Sequence, residues 1–211
     1  MTTAGMPLRS VVTLTIIGLL AAVILAGMNH VTGERIEHKQ QTRALAAIAE
    51  MLPADSYDNE LLDDRIEVDI DGFDRPARVY RARLSGEPVA MVVDLTTPRG
   101  YSGDIRLLVA VDVAGTVMGV QVLEHRETPG LGDRIEPRRT DWLKQFVGRS
   151  LADPEPEGWA PDRRGGEFDT LTSATITVAA IVEAVKRALQ AVELNESEPF
   201  THKASTDTLS Q

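Results

Sequence analysis

Three periods of apolar residues follow one another along this chain. Val11 to Met28 reads VVTLTIIGLLAAVILAGM, and from Ser10 to Gly33 there is no Asp, Glu, Lys or Arg. At about 1.5 Å of rise per residue, roughly 20 such residues cross a hydrocarbon core of about 30 Å, so the pattern predicts an N-terminal transmembrane anchor within residues 1–33. A cleaved signal peptide would have an apolar region of about 7–15 residues and end in an A-x-A-like site, which is not evident here. Leu25-Ala26-Gly27 resembles a lipoprotein box, but Met28 stands where its Cys would be. Over residues 34–52 the apolar positions thin to Leu45, Ile48, Ala49 and Leu52, an amphipathic helix stopped by Pro53. It reads as a linker helix (34–62) that extends the span into water.

From Ile66 the period changes to two. Residues 66–70, 77–84, 89–95, 105–113 and 116–125 alternate as strands do, and Ser85-Gly86-Glu87-Pro88 and Ala114-Gly115 suit hairpins between neighbours. Trp142 to Phe146 forms a helical turn, and residues 153–166 read as a Pro- and Gly-rich surface loop. Val178, Ile181, Val182, Val185, Leu189 and Val192 then recur at helical spacing, which predicts a helix over 178–192 packed on the sheet by one face. The remainder, 195–211, is polar and reads as a disordered tail. Helix, antiparallel meander, loop and helix in that order make an α+β fold, with the folded domain over 63–194.

Charge and composition narrow the function. With 22 Lys and Arg against 32 Asp and Glu in 211 residues, the net charge of −10 excludes a sequence-independent grip on phosphate backbones, so no nucleic-acid partner is expected. The absence of Cys removes disulfides, Cys-ligated zinc and Cys-ligated iron–sulfur clusters, so electron transfer here would need an organic cofactor. The four His (His30, His38, His125, His202) lack metal-ligand spacing, and no metal site is expected. His125 at a strand end reads as structural, and Asp63-Asp64 and Arg138-Arg139 as solvated surface. Arg9 precedes the span while Arg35, Lys39 and Arg43 follow it; counted naively, this places the C-terminal bulk in the cytoplasm. Long domains translocate largely regardless of such counts, so the residues leave the side open.

No P-loop, Rossmann fingerprint or GxSxG elbow is present. Two unusual stretches remain. His125-Arg126-Glu127-Thr128-Pro129-Gly130-Leu131-Gly132 follows the last strand, and Asp169-Thr170-Leu171-Thr172-Ser173-Ala174-Thr175-Ile176-Thr177 precedes the last helix. Hydroxyls before a helix serve as N-caps, while the same free N–H groups and positive dipole end also suit a phosphate. Both readings of the second stretch stay open, as do a plain turn and a binding turn for the first.

Taken together, the two stretches resemble a known family. Asp169-x-x-Thr172-Ser173-Ala174-Thr175 is similar to the flavinylation motif of the FMN-binding domains found in the Rnf and Na⁺-translocating NADH:quinone oxidoreductase complexes. Gly100-Tyr101-Ser102-Gly103-Asp104-Ile105, the run from Gly119-Val120 to Gly132, and Trp142 with Phe146 also look like this family, so the resemblance extends to about residue 192. The anchor and a length near 200 residues most resemble the G subunit of Rnf; the C subunit of the quinone oxidoreductases is usually longer and ranks second. One departure is Ser173, where the family more often has Gly; its Cβ would strain the turn if the position needs φ > 0.

The resemblance implies a covalently bound FMN, esterified through its phosphate to Thr175 by a separate flavin transferase that uses FAD. It further implies an electron-carrying subunit of an ion-translocating complex working between reduced ferredoxin and NAD⁺, rather than a stand-alone enzyme with catalytic residues of its own. Partners would be the other subunits, the transferase and the lipid bilayer, with the flavin domain on the periplasmic side of the bacterial inner membrane. Thr172, Ser173, Ala174 and Thr177 would line the phosphate or flavin, and Glu127, Thr128, Gly130, Leu131 and Gly132 would shape the pocket for the isoalloxazine ring. Asp169 would be a determinant for the transferase, because a carboxylate is repelled by a phosphate anion. The competing functions are a component like the quinone-oxidoreductase C subunit, and a membrane-tethered sensor or assembly module without a cofactor.

Overall fold

The computed structural model describes residues 8–194, with side chains described over 9–28 and 41–193, and divides into two compact units, Met1–Arg43 and Ala44–Gln211. The expected tail over 195–211 lies outside the described residues. Helix α1 is Leu8–Met51. Its stretch Arg9–Met28 has a mean hydropathy of 2.6 and none of it is buried in protein. Apolar side chains therefore face outward all round: Leu14, Leu19, Val23 and Leu25 are each more than three-fifths exposed, the pattern of a helix whose solvent is lipid. Thr13 and Thr15 donate their hydroxyls to the carbonyls of Arg9 and Val11 at 2.8 and 2.9 Å, so the polar groups in this stretch are satisfied within the helix itself.

In the second unit, β1 (Arg65–Val68), β2 (Ala77–Leu84), β3 (Glu87–Thr97), β4 (Ile105–Asp112) and β5 (Val117–Glu124) form one antiparallel sheet in sequential order, the meander the alternation predicts. Each strand sends alternate side chains to opposite faces. Val79, Met91, Val93, Leu107 and Val109 meet α2 (Thr175–Leu194), whose Val178, Ile181, Val185 and Leu189 are at most 3% exposed. Burying each such side chain stabilises by about 1.5–3 kcal/mol, which makes this the principal core.

Tyr80, Ala82, Val92, Leu108 and Ala110 face the other way, where Ala44, Ile48 and Leu52 cover them. The buried stripe thus runs through Ala44, Ile48 and Leu52, while Leu45 and Ala49 of the expected apolar set face out. Gly119 lets that segment close on β5, since a Cβ there would meet Met51 Cγ at 2.8 Å.

The sheet also carries two ion pairs, Arg106–Asp94 on this face and Arg81–Asp64 on the other. Arg106 grips Asp94 with two bonds, Nε to Oδ1 at 2.9 Å and Nη2 to Oδ2 at 2.7 Å, and the hydrogen bonding to that carboxylate raises its pKa against the opposing effect of burial. Arg81, 1% exposed, pairs with Asp64, which also accepts from Arg83 Nε at 2.7 Å. Asp64 is thus not solvated surface, as its neighbourhood suggested, but the counter-ion that permits a buried guanidinium. Arg139 likewise pairs with the buried Asp133 at 3.1 Å.

The expected surface loop 153–166 is more structured than its Pro and Gly content implied. It contains short 3₁₀ turns at Pro156–Gly158 and Asp162–Arg164, and it buries Trp159. Trp159 lies against Phe168, Phe168 stacks on Phe146 at 4.8 Å, and Phe146 meets Trp142 edge to face at 5.5 Å. This aromatic row fixes the loop and the segment leading into α2.

Candidate functional site

The two stretches singled out in the sequence meet at one end of the sheet, and the residue that joins them is Glu127. It is 5% exposed. Its Oε2 accepts the Thr177 hydroxyl at 2.5 Å, and its Oε1 accepts the Ser102 backbone N–H at 3.1 Å. Gly100 and Gly132 wall the carboxylate: a Cβ on Gly100 would lie 2.8 Å from Oε1, and one on Gly132 2.8 Å from Oε2. Each carboxylate oxygen thus accepts a hydrogen bond, which is what lets the group stay buried. Glu127 thereby ties three elements together: the 98–104 loop, the 128–132 turn and the first turn of α2.

The turn after Glu127 closes on itself. Leu131 and Gly132 N–H both donate to the Thr128 carbonyl, at 3.1 and 3.0 Å, and Gly130 N–H donates to Oδ1 of buried Asp133 at 2.9 Å. Gly130 sits at φ +81, where a glycine is at ease. Thr128, Gly130 and Leu131 are exposed on the rim, whereas Gly132 is buried under it. His125 holds the approach to this turn. Its Nδ1 accepts from Glu127 N–H at 3.1 Å, which leaves the proton on Nε2, 3.2 Å from Glu136 Oε1. Both ring nitrogens are engaged, in keeping with the structural reading of His125.

Helix α2 begins at Thr175, three residues earlier than the apolar spacing alone predicted. Val178 N–H donates to the Ala174 carbonyl at 3.0 Å, so the residue in the capping position is Ala174, which has no side-chain oxygen. Thr172 and Ser173 are exposed, and among the described residues neither hydroxyl bonds the free N–H groups of the first turn. The capping reading of these hydroxyls is therefore not realised. Ser173 adopts φ +67, the left-handed conformation in which its Cβ is strained. The expected cost of Ser at this position is thus present, and the turn is made despite it.

Thr175 and Thr177 part company here. At about 100° of rotation per residue, side chains two positions apart point roughly 160° away from each other. Thr177, 1% exposed, faces inward to Glu127, while Thr175 is half-buried and its hydroxyl has no hydrogen-bond partner among the described residues. The cradle fits a phosphate ester: three N–H groups without a capping side chain, a positive dipole end and an uncommitted hydroxyl on the first residue.

Asp169 holds the lead-in to this turn through its backbone. Its carbonyl accepts Trp142 Nε1–H at 2.6 Å and its N–H donates to Gln145 Oε1 at 2.8 Å, leaving the carboxylate exposed. Next to it, the Thr170 hydroxyl donates to Asp162, and that bond holds the Asp162 carboxyl below its usual pKa. The sequence pointed to Gly100 and Ser102 only as part of a longer run. Their closeness to Glu127 had no local signal beyond the paired glycines around Tyr101.

The FMN-binding domain family matches residues 100–190, a span that takes in Glu127, the 128–132 turn and the start of α2. The chain is 38% identical over 197 residues to the G subunit of the ion-translocating oxidoreductase complex of Shewanella loihica, covering 92% of this chain and 93% of that protein. It is 40% identical over 191 residues to the protein of the same name from Pseudomonas aeruginosa, covering 89% of each. The chain belongs to this family of G subunits. Membership of the family and the apolar Arg9–Met28 stretch together fit a membrane-anchored protein. Among solved structures, the C subunit of the Na⁺-translocating NADH-quinone reductase from Parabacteroides distasonis is similar at a TM-score of 0.44 and 22% identity, covering 62% of this chain and 65% of that one.

Proposed function

We propose that this chain is the flavin-carrying subunit of a membrane ion-translocating oxidoreductase complex, with FMN held as a phosphate ester on Thr175. The observation that carries the attachment site is the contrast within the first turn of α2. Thr177 commits its hydroxyl to Glu127, whereas the Thr175 hydroxyl stands uncommitted beside free N–H groups. Family membership and the FMN-binding domain support the cofactor. The flavin, when bound, supplies one- and two-electron carriage, and the chain supplies the position.

The roles of the remaining residues follow from where they lie. Thr172, Ser173 and Ala174 form the turn that aims the free N–H groups at the phosphate. Thr128, Gly130 and Leu131, on the exposed rim, would border the isoalloxazine ring, with Gly132 beneath them leaving room for the Glu127 side chain. Glu127 and Thr177 are positioning residues that lock rim and helix to each other. Membrane anchor (1–33), a linker (34–62) whose helix ends at Met51 rather than at its far bound, and flavin domain (63–194) are the working parts of this reading.

Maturation requires a partner. The Thr175 hydroxyl oxygen attacks the FMN-side phosphorus of FAD, an O–P bond forms, the bond bridging to the second phosphorus breaks, and AMP leaves. The hydroxyl proton passes to a base of the flavin transferase. A covalent cofactor suits a domain on the periplasmic side, where a lost flavin is not replaced from the cytoplasm. Intact mass of the full chain, produced with and without a flavin transferase, tests the proposal against the Thr175→Ala variant. An adduct in both forms of the chain would contradict attachment at Thr175.

A further inference from the structure

The groove on the outer side of α2 shares its helical face with Thr175. Ala179, Val182 and Lys186 follow Thr175 at four, seven and eleven residues, all within about 40° of it around the helix. The opposite wall is the 153–166 loop, through Trp159, Pro161 and Arg164. The cavity holds about 340 Å³, near the lower end of the range for ligand sites, so it admits a few side chains rather than a large molecule.

Its charge runs against that of the chain as a whole. In a protein of net charge −10, the groove presents Arg164 and Lys186; its Arg187 is paired with Asp71 at 3.6 Å and Glu183 at 3.8 Å, and its one carboxylate, Glu183, is neutralised by Arg99 and Arg187. Arg164 is exposed and has no ion pair among the described residues, while the Lys186 ammonium donates to the Pro156 carbonyl at 2.9 Å. The wall is also coupled to the acceptor segment. Pro161 bridges Phe168, Asp162 N–H donates to the Phe168 carbonyl at 2.8 Å, and Thr170 bonds Asp162. Anything seated in the groove is therefore registered against residues 168–175.

We propose that this groove is the docking site of the flavin transferase, which seats a segment carrying carboxylates and an apolar side chain there and so brings its FAD to Thr175. The inference rests on the flavinylation reading above. Excess positive charge selects an acidic partner and speeds its encounter. Continuity with the acceptor hydroxyl along one helical face selects the enzyme that modifies it. Arg164 and Lys186 meet the carboxylates, and half-buried Ala179 meets the apolar side chain.

The test is the initial rate of FMN adduct formation on the full chain in detergent, with purified flavin transferase and FAD, as a function of chain concentration. Arg164→Glu raises the concentration for half-maximal rate about tenfold with the maximal rate unchanged, Arg164→Lys behaves as the parent, and added salt weakens the parent in the same direction. Ala179→Gln, which fills the groove without changing charge, also raises that concentration. Melting temperatures equal to the parent's show that the variants fold, and Ala179→Gln with the salt series carries the test if Arg164→Glu does not. Half-maximal concentrations within about twofold of the parent in both variants would overturn the docking site while leaving flavinylation in place. A fall confined to the maximal rate would overturn it too, by placing these residues in the transfer step. A parent that acquires no FMN under conditions that modify a known substrate would overturn both the groove and the reading beneath it.

Discussion

Thr177 donates its hydroxyl to Oε2 of Glu127 at 2.5 Å, fifty residues away in sequence, and that bond fastens the first turn of the last helix to the turn that follows the last strand. Thr177→Val leaves a buried carboxylate oxygen without its donor and lowers stability by about 1–3 kcal/mol. Thr175→Val removes a half-buried hydroxyl with no described partner and changes stability by less than about 0.5 kcal/mol. Denaturant unfolding of the two full-length variants checks the contrast. Equal losses in both would mean that the two hydroxyls have the same role.

Ser173 is held at φ +67, a conformation that costs a residue with a Cβ about 1–2 kcal/mol. Ser173→Gly relieves the strain and is partly offset by the greater freedom of glycine in the unfolded chain, so the net gain is about 0.5–1 kcal/mol. The melting temperature rises by roughly 1–4 °C. Ser173→Val moves it the opposite way, because a β-branched residue tolerates this conformation least.

Trp142 supports the acceptor turn from below through its 2.6 Å bond to the Asp169 carbonyl. Trp142→Phe keeps the edge-to-face contact with Phe146 but loses that bond, at a cost of about 1 kcal/mol. Hydrogen exchange at residues 168–171 quickens, and FMN attachment slows while its site stays the same. Exchange spread evenly over the domain would instead point to a general core defect.

Tyr80, 2% exposed, has its pKa raised above the ordinary 10.0, first by burial and then by the nearby Asp94 carboxylate. The unfolded chain therefore loses the Tyr80 proton at a lower pH than the folded one. Stability is fully present below pH 10 and falls as pH rises from there through the folded value. Thermal unfolding between pH 8 and 11 shows the decline, and Tyr80→Phe makes it shallower. An unchanged slope in that variant would place the alkaline sensitivity elsewhere.

Patterns with a strong local period were legible in the sequence. The period-two runs became the five strands with ends shifted by at most about two residues, because successive side chains of a strand go to opposite faces of the sheet and each face has a core to fill. The 178–192 stripe became α2, but its start at Thr175 depends on Ala174 closing the turn, which no apolar spacing records. Trp159 is buried in a segment whose Pro and Gly content suggested surface, since only the folded chain brings Phe168 against it. Asp64 read as solvated surface because its partner Arg81 lies nearly twenty residues on, beyond any local pattern. In the site, Glu127 and Thr175 stood out through their motifs. The split between Thr175 facing out and Thr177 facing in emerged only with the helix phase.

The most direct test of the covalent flavin is mass spectrometry of one peptide. Trypsin cleaves after Arg164 and Lys186, and no Lys or Arg lies between them, so a single peptide of residues 165–186 carries the whole acceptor turn. From full chain produced with a flavin transferase, that peptide should carry the mass of FMN less one water, with fragments placing it on Thr175. The same peptide unmodified, beside a known flavinylated domain modified in the same cells, would contradict the account.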